Sequence, residues 1–282
     1  MVGRILRYRD KHRIANFAAN LEKVKLDYSA ADVEAGAELS RRFSSILDAL
    51  VLPNGVTKTT WANRLGRSLS TVLSAVELPA PDIRVLDVPS STGVASLQCL
   101  AIIQERYRVT SYVLGDKYHE LLYDPRRRCI FDEQGNLLQV AFSKYYFSIY
   151  RGRVTHPLLA CLLPPHSAMT WYLRRRYRFK PHTEYRRLSI VHPEVERLLD
   201  QGILQLREMD IFQPIPGRYD LILSFNLLHR NYFPADTIRV GVANLAASLS
   251  EGGLLVLGNT NSFLALQKCH GGMIPRLREG SF

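Results

Sequence analysis

The stretch that decides the fold runs from residue 83 to residue 93 and reads IRVLDVPSSTG. Its first half is a run of β-branched and leucine residues, which is typical of a strand buried on both faces of a parallel sheet. The run ends in the carboxylate of Asp87, and a loop of small residues then leads to a helix predicted to begin at Val94. Open parallel sheets bind ligands at such a point, in the crevice outside the carboxyl ends of their strands.

Outward from this stretch, strand-like and helix-like segments alternate. Strands are predicted at 83–88, 109–114, 188–191, 203–207, 219–225 and 254–257. Helices are predicted at 94–106, from 192 to 200, and from Pro234 onward with Ile238, Val242, Leu245 and Leu249 on one face. This alternation predicts an α/β fold, a Rossmann-like doubly wound and mostly parallel sheet.

The domain organisation predicted from these patterns has three parts. Residues 1–80 read as a helical amino-terminal cap, because 57–77 carries one apolar stripe and prolines follow it. Residues 81–282 form the α/β domain, with an inserted basic and aromatic subdomain at 117–187. Within the insertion, 129–142 predicts a β-hairpin with a short turn.

Bulk properties narrow the setting of the protein. The formal net charge is +11 and the pI is about 9.6, which favours an anionic partner such as nucleic acid, an acidic protein or a membrane surface. The four cysteines have no close pair, which argues against a disulfide scaffold or a zinc site. The basic start lacks the apolar core of a secretory signal, and no apolar tract reaches transmembrane length, so we expect a cytoplasmic protein.

The insertion holds the strongest basic run, in which cations alternate with aromatic residues such as Trp171 and Tyr172. Its candidate contacts to an anionic partner are Arg174, Arg175, Arg176, Arg178 and Lys180. Such a run can stack on bases and bind phosphate, or lie on an anionic membrane. The alternative is a solvated face whose arginine side chains pack on the subdomain's own aromatic rings.

Two blocks, 83–93 and 219–258, together resemble the class I S-adenosylmethionine-dependent methyltransferases. The glycine-rich loop of that family reads acid-x-Gly-x-Gly-x-Gly, and Asp87, Thr92 and Gly93 are in register with it. Pro89 and Ser91 occupy the first two glycine places. The Gly-Gly pair at 252–253, before a hydrophobic strand, is similar to the entry of the family's fifth strand.

The resemblance implies S-adenosylmethionine as the cofactor and methyl transfer to an oxygen or nitrogen nucleophile. A small-molecule acceptor comes first, and a protein carboxylate second. Asp87 would face the ammonium group of the methionine moiety, and Asp116 would bind the ribose hydroxyls. The remaining implied cofactor contacts are the loop residues Pro89, Ser90, Ser91, Thr92 and Gly93, Asp210 and Ile211 at the adenine, and Asn226 and Leu227 below the transferable methyl group.

Each of these assignments has a structural alternative. Asp87 could cap the following loop, and Asp210 could be an ordinary turn residue. Glu194 competes with Asp116, because 188–194 also resembles a second strand entering a helix. Two candidates for a proton acceptor, His229 and Tyr232, follow Asn226, although a lone histidine in such a loop is more often structural.

A second hypothesis follows from the missing glycines. Proline fixes φ and removes a donor, and serine adds bulk. The chain would then be a catalytically inactive, methyltransferase-like binding protein that holds an anionic partner through the basic insertion. The segment 259–282 favours this alternative, because it leaves little room for the antiparallel strand pair that completes the family's sheet. A nicotinamide oxidoreductase is a third option, against which the absent Gly-x-Gly-x-x-Gly spacing counts.

Overall fold

A computed structural model of the chain describes residues 17–29, 33–48, 50–53, 65–142, 145–150, 163–230, 232–259 and 262–280. The chain divides into two compact units, each built from two segments. Residues 1–59 and 118–193 form the first unit, and residues 60–117 and 194–282 form the second. The division predicted from the sequence, with a cap ending at residue 80 and an insertion at 117–187, stays a prediction.

The second unit contains a sheet of seven strands within the described residues. With strands and helices numbered along the whole chain, these are β1 (Asp82–Asp87), β2 (Arg108–Asp116), β8 (Gln205–Glu208), β9 (Tyr219–Phe225), β10 (Leu249–Gly258), β11 (Phe263–Cys269) and β12 (Gly272–Glu279). Their order is β12-β11-β10-β9-β1-β2-β8. All pairs are parallel except β10–β11 and β11–β12.

This order is that of a doubly wound sheet. From β1 the chain moves outward through β2 to β8, then returns to the other side of β1 and continues through β9 to β12. The predicted fold class, a Rossmann-like and mostly parallel sheet, is therefore confirmed. The predicted strands at 203–207 and 254–257 correspond to β8 and the second half of β10.

The same unit contains four described helices, which are α3 (Gly66–Ala75), α4 (Val94–Gln104), α6 (Pro193–Asp200) and α7 (Ala235–Ala247). The predicted helix 57–77 is thus described from Gly66 to Ala75, and residues 54–64 lie outside the described part. The core contains the fully buried side chains of Leu86, Ile222 and Leu255 from three neighbouring strands. The buried segments of β9 and β10, at 221–223 and 254–257, are continuously apolar, as expected for strands covered on both faces.

Two expectations about this unit are wrong. Leu249 does not extend the apolar face of α7; the chain leaves the helix at Ser248, and Leu249 opens β10 opposite Tyr219. Residues 259–282 do hold an antiparallel strand pair, β11 and β12. Little chain is needed because the turn consists of His270 and Gly271, both with positive φ (51° and 76°), as in the tight turns that match strand twist.

The first unit contains a second sheet, of five antiparallel strands within the described residues. Its order is β6-β5-β4-β3-β7, with β3 (Glu120–Asp124), β4 (Cys129–Phe131), β5 (Leu137–Phe142), β6 (Tyr145–Ser148) and β7 (Arg186–Ser189). The predicted hairpin at 129–142 is confirmed as β4–β5. The strand predicted at 188–191 appears as β7, and it pairs with β3 in this sheet rather than with the parallel sheet.

Helices α1 (Phe17–Ser29), α2 (Val33–Leu47) and α5 (Leu163–Arg176) belong to the same unit. Leu21, Phe43 and Leu47 from the first two helices share a buried cluster with Leu121 and Leu138 of the sheet. Within the described residues, no helix is both long and apolar enough to span a bilayer.

Gly93 gives a direct test of packing in the second unit. Its φ is +81°, and a Cβ there would lie 2.7 Å from Cγ2 of the buried Val195 on α6. Positive φ costs about 1 kcal/mol for a residue with a Cβ, and overpacking adds about 1–3 kcal/mol. We expect Gly93→Ala to lower the free energy of unfolding by about 2–4 kcal/mol in urea denaturation.

Gly202→Ala is the matched control. Gly202 also has positive φ (+71°), but a Cβ there would meet nothing within 4 Å. Gly202→Ala should lower the free energy of unfolding only by the cost of the positive φ, about 1 kcal/mol. Equal losses in the two variants would contradict the proposed contact with Val195.

Candidate functional site

The order of strands reverses between β1 and β9, and this places the candidate site. Ligands bind doubly wound sheets at this switch point, outside the carboxyl ends of the strands. Here those ends are Asp87 on β1 and Phe225 on β9, which are brought side by side by parallel pairing of Asp87 with Leu223. The segments 88–93 and 226–230 therefore leave the sheet next to each other.

The loop after β1 folds as a tight turn onto the end of β2. Ser90 N–H donates to the Gly115 carbonyl (2.9 Å), and Gly93 N–H donates to the Ser90 carbonyl (2.9 Å). Ser91 has φ +56° and Gly93 has φ +81°. Ser91, at the second glycine place of the resemblance, therefore adopts a left-handed conformation that glycine favours. Pro89, at the first place, follows Val88 through a cis peptide bond.

Asp87 is buried where β1 ends, with 4% of its surface exposed. The Tyr112 hydroxyl on β2 donates to Asp87 Oδ2 at 3.3 Å. Burial, together with the nearby Asp87 carboxylate, raises the pKa of Tyr112 well above its ordinary value. Tyr112 consequently stays protonated and acts as a donor toward the carboxylate. This partner could not be predicted from local sequence, because it lies on a different strand.

Asp116 ends β2, the strand directly beside β1. It is buried, and its Oδ2 accepts a hydrogen bond from Ser91 N–H at 2.8 Å. The competing acid, Glu194, lies in the first turn of α6 and binds Arg197. The strand before it is β7 of the other sheet, so of the two acids only Asp116 ends a strand neighbouring β1.

Asp210 and Ile211 follow β8. Asp210 Oδ1 accepts from Phe212 N–H at 3.0 Å, an Asx turn, and its Oδ2 lies 2.9 Å from Lys117 Nζ. Burial opposes ionisation, but the Lys117 ammonium and the Phe212 N–H together hold the pKa of Asp210 below its ordinary value. Ile211 is only 2% exposed, and its carbonyl accepts from Asn244 on α7. Its contact with adenine stays a prediction.

The loop after β9 begins at Asn226, which has φ +59° and donates its N–H to the Gly258 carbonyl at 2.7 Å. Leu227 is half-buried against the apolar core. The rings of His229 and Tyr232 are 6.1 Å apart, and Tyr232 is 43% exposed. Both residues are in the loop next to the switch point, and their part in proton transfer stays a prediction.

Buried polar atoms without a hydrogen-bond partner gather at this edge of the sheet. Within the described residues these include Ser90 Oγ, Thr92 Oγ1, Ser96 Oγ, Ser224 Oγ and Asn226 Nδ2. Three of the five residues were predicted site residues, whereas Ser96 and Ser224 were missed. Ser224 could have been found from the strand period, which puts it on the same face as Asn226. Because buried polar groups in folded proteins are nearly always paired, such a group needs an explanation.

The basic run lies in the first unit, at and after the end of α5. Guanidinium groups stack on aromatic rings there: Arg174 on Tyr150 (4.9 Å), Arg175 on Trp171 (5.6 Å) and Arg176 on Tyr172 (6.0 Å). The main chain of Arg178 accepts from Arg127, and that of Lys180 donates to Tyr185. Packing of arginines on the unit's own rings, the alternative given above, is thus present.

No protein-family model and no curated protein match the chain. Solved structures do match it: an O-methyltransferase family protein from Burkholderia thailandensis is 12% identical at a TM-score of 0.33, covering 78% of this chain and 41% of that one. The N-methyltransferase NodS from Bradyrhizobium japonicum, in complex with S-adenosyl-L-homocysteine, is 12% identical at a TM-score of 0.30. The match covers 70% of this chain and 59% of that one. An S-adenosylmethionine-dependent methyltransferase from Clostridium acetobutylicum is 11% identical at 0.36, covering 74% and 62%.

The chain thus spans between two fifths and two thirds of the length of these structures.

The unpaired hydroxyl of Ser224 predicts an unusual response to mutation. Ser224 and Ser248 are both buried (1% and 3% exposed). Among the described residues the Ser224 hydroxyl has no partner, whereas the Ser248 hydroxyl donates to the Leu245 carbonyl at 2.9 Å. Ser248→Ala should lose about 1 kcal/mol of unfolding free energy. Ser224→Ala removes an unsatisfied group and should leave the stability unchanged or raised by up to about 1 kcal/mol in the ligand-free protein. Equal losses on urea denaturation would show that Ser224 has a partner.

The Lys117–Asp210 pair predicts a shift in titration. Lys117→Met should raise the pKa of Asp210, because the ammonium that favours the carboxylate is removed. Since the folded-state pKa lies below that of the unfolded chain, the pair stabilises the protein above the unfolded pKa. That stabilisation is lost as the pH falls through the folded pKa. Carboxyl-carbon NMR titration measures the shift.

Lys268→Met serves as the control, because Lys268 binds the carbonyls of Ala246 and Leu249 rather than a carboxylate. It should leave the Asp210 titration in place. If Lys117→Met also left it in place, the Phe212 N–H alone would account for the lowered pKa.

Proposed function

We propose that the second unit binds S-adenosylmethionine at the carboxyl ends of β1 and β9 and that the protein is a methyltransferase. The observation that carries the proposal is the group of unpaired buried polar atoms at that edge, on Ser90, Thr92, Ser96, Ser224 and Asn226. Unpaired buried hydroxyl and amide groups are costly, about 1–3 kcal/mol each. A polar ligand at the switch point would satisfy them.

The residues present fit the cofactor implied by the resemblance. Asp87 is a buried carboxylate suited to a ligand ammonium, and Asp116 is a carboxylate suited to a diol. Asp116 Oδ2 accepts from Ser91 N–H, and a carboxylate has about four acceptor positions in all. Ser91 and Gly93 both have positive φ, so the loop keeps a glycine-type backbone without its first two glycines. Asp210 and Ile211 would bracket the adenine.

When bound, S-adenosylmethionine supplies an electrophilic methyl group on sulfur. The chain's task is then to hold an acceptor nucleophile in line and to exclude water. Orientation of this kind can supply about 7–11 kcal/mol of barrier reduction in favourable cases. In this proposal Asn226 and Leu227 would lie below the transferable methyl group, and His229 and Tyr232 are the candidates to take a proton from the acceptor.

The acceptor in this proposal is an oxygen or nitrogen nucleophile of a small molecule, with a protein carboxylate as the second choice. The resemblance supports this order. Trials with phenols, primary amines and acidic peptides, followed as production of S-adenosylhomocysteine, would separate the two classes.

A second candidate function is an inactive binding protein on the same scaffold. The contacts of Asp116 and Asp210, two of the implied cofactor contacts, favour this candidate. Asp116 accepts from the loop's own Ser91 N–H, and both oxygens of Asp210 already have protein partners. Such a protein would hold an anionic partner through Arg174, Arg175, Arg176, Arg178 and Lys180.

Calorimetry with S-adenosylmethionine tests the proposal. We expect saturable binding by the wild type and a loss of about 10-fold or more in affinity for Asp87→Asn, because a charge-assisted bond contributes about 1.5–3 kcal/mol. The amide oxygen of the variant can still accept from Tyr112, so the fold should be kept, as a thermal melt would verify.

Asp82→Asn is the matched control, because Asp82 lies at the opposite end of β1 and binds the exposed Arg108. It should bind S-adenosylmethionine like the wild type. Absence of binding by the wild type would overturn the proposal, and so would an equal loss in the two variants.

A further inference from the structure

The first unit contains a cleft of its own, with a volume of about 360 Å³. It lies where the chain leaves β6 and where α5 packs over that segment. The residues that line it are Ile149, Tyr150, His166, Ser167, Thr170, Trp171 and Arg174. The volume is within the range of sites for small molecules, about 300–1,000 Å³.

The walls of the cleft are held in place by local contacts. His166 stacks on Phe147 with ring centroids 4.8 Å apart, and its Nε2 lies 3.2 Å from the Ser148 carbonyl oxygen. His166 Nδ1 lies 3.3 Å from Thr170 Oγ1. These contacts connect α5 to the end of β6 and fix two polar side chains on one wall.

The charged side chain that lines the cleft is a cation. Arg174 is an exposed guanidinium that lies 4.9 Å from the Tyr150 ring. Among the described residues that line the cleft, none is acidic, and no described side chain accepts a hydrogen bond from Arg174. Stacking on a ring leaves the edge of a guanidinium open to a planar, two-oxygen acceptor.

An aromatic surface is next to that cation. Trp171 is 64% exposed, although indole is among the side chains that folding usually removes from water. Arg175 lies over the ring at 5.6 Å. A flat apolar ligand could stack on the face of the indole that Arg175 leaves uncovered.

We propose that this cleft binds a small planar aromatic carboxylate. The carboxylate would pair with Arg174 in a bidentate geometry, and the ring would stack on Trp171, with Thr170 and Ser167 as hydrogen-bonding groups. A nucleic-acid strand fits less well, because a cleft of this size offers one guanidinium rather than a row of phosphate contacts. This inference concerns the first unit alone and does not depend on the proposed methyl transfer.

Calorimetry on the full chain with 2-naphthoate tests the proposal, and 2-naphthamide serves as a neutral ligand of the same shape. We expect one saturable site for naphthoate and about 10-fold weaker binding of the amide, because a charge-assisted pair is lost. Arg174→Gln should weaken naphthoate binding about 10-fold or more and bring it to the level of the amide.

Arg178→Gln is the matched control, since Arg178 belongs to the same basic run but does not line the cleft. It should change the affinity less than two-fold. Trp171→Ala should weaken naphthoate and naphthamide equally, whereas Tyr172→Ala, outside the cleft, should affect neither.

Three results would overturn the proposal. These are no saturable naphthoate binding by the wild type, equal losses in Arg174→Gln and Arg178→Gln, and equal affinities for the acid and the amide. Tight, salt-sensitive binding of an oligothymidylate, weakened equally by both arginine variants, would show instead that the basic run serves a polyanion.

Discussion

The double pairing of β1 is the constraint on which the second unit depends. This strand is hydrogen-bonded to β2 on one edge and to β9 on the other, in parallel on both sides. The chain reaches one neighbour on each side of β1, so the strand order reverses at the carboxyl end of this strand. The segments 88–93 and 226–230 leave the sheet at this point, one from each of two adjacent strands. The strand order, rather than any single side chain, thus determines where the candidate site lies.

The central parallel strands could be predicted because their buried segments, such as 221–223 and 254–257, read as apolar runs. The β11–β12 pair could not, because its residues are mostly half-buried or exposed and β12 carries charged side chains and a proline. The pairing of β7 with β3 was equally hidden. These strands lie more than sixty residues apart, and a four-residue strand gives no signal of its partner. Local pattern thus revealed the segments but not every sheet to which they belong.

For the site, sequence reasoning identified acids and small residues at strand ends, since parallel strands bring these ends together. It could not find the bond from Ser91 N–H to Asp116, which depends on the backbone conformation of the loop. Nor could it find Tyr112 beside Asp87, which depends on the register of β2 against β1. Pro89 and Ser91 looked like a break in the motif, but the positive φ of Ser91 gives the turn a glycine-type conformation despite the side chain.

The two candidate functions differ in how they account for the buried polar atoms at the switch point. A protein that acts only through the basic run of the first unit has no use for the hydroxyls of Ser90, Thr92 and Ser224 or the amide nitrogen of Asn226, which have no partner among the described residues. Each is costly, and replacement by alanine or valine would remove the cost. A scaffold freed from ligand binding would be expected to lose such groups, because nothing in the apolar core requires them. Their presence on two adjacent strand ends therefore favours a polar ligand at this edge of the sheet. Such a ligand must share the Asp116 and Asp210 carboxylates with the protein groups that already bind them.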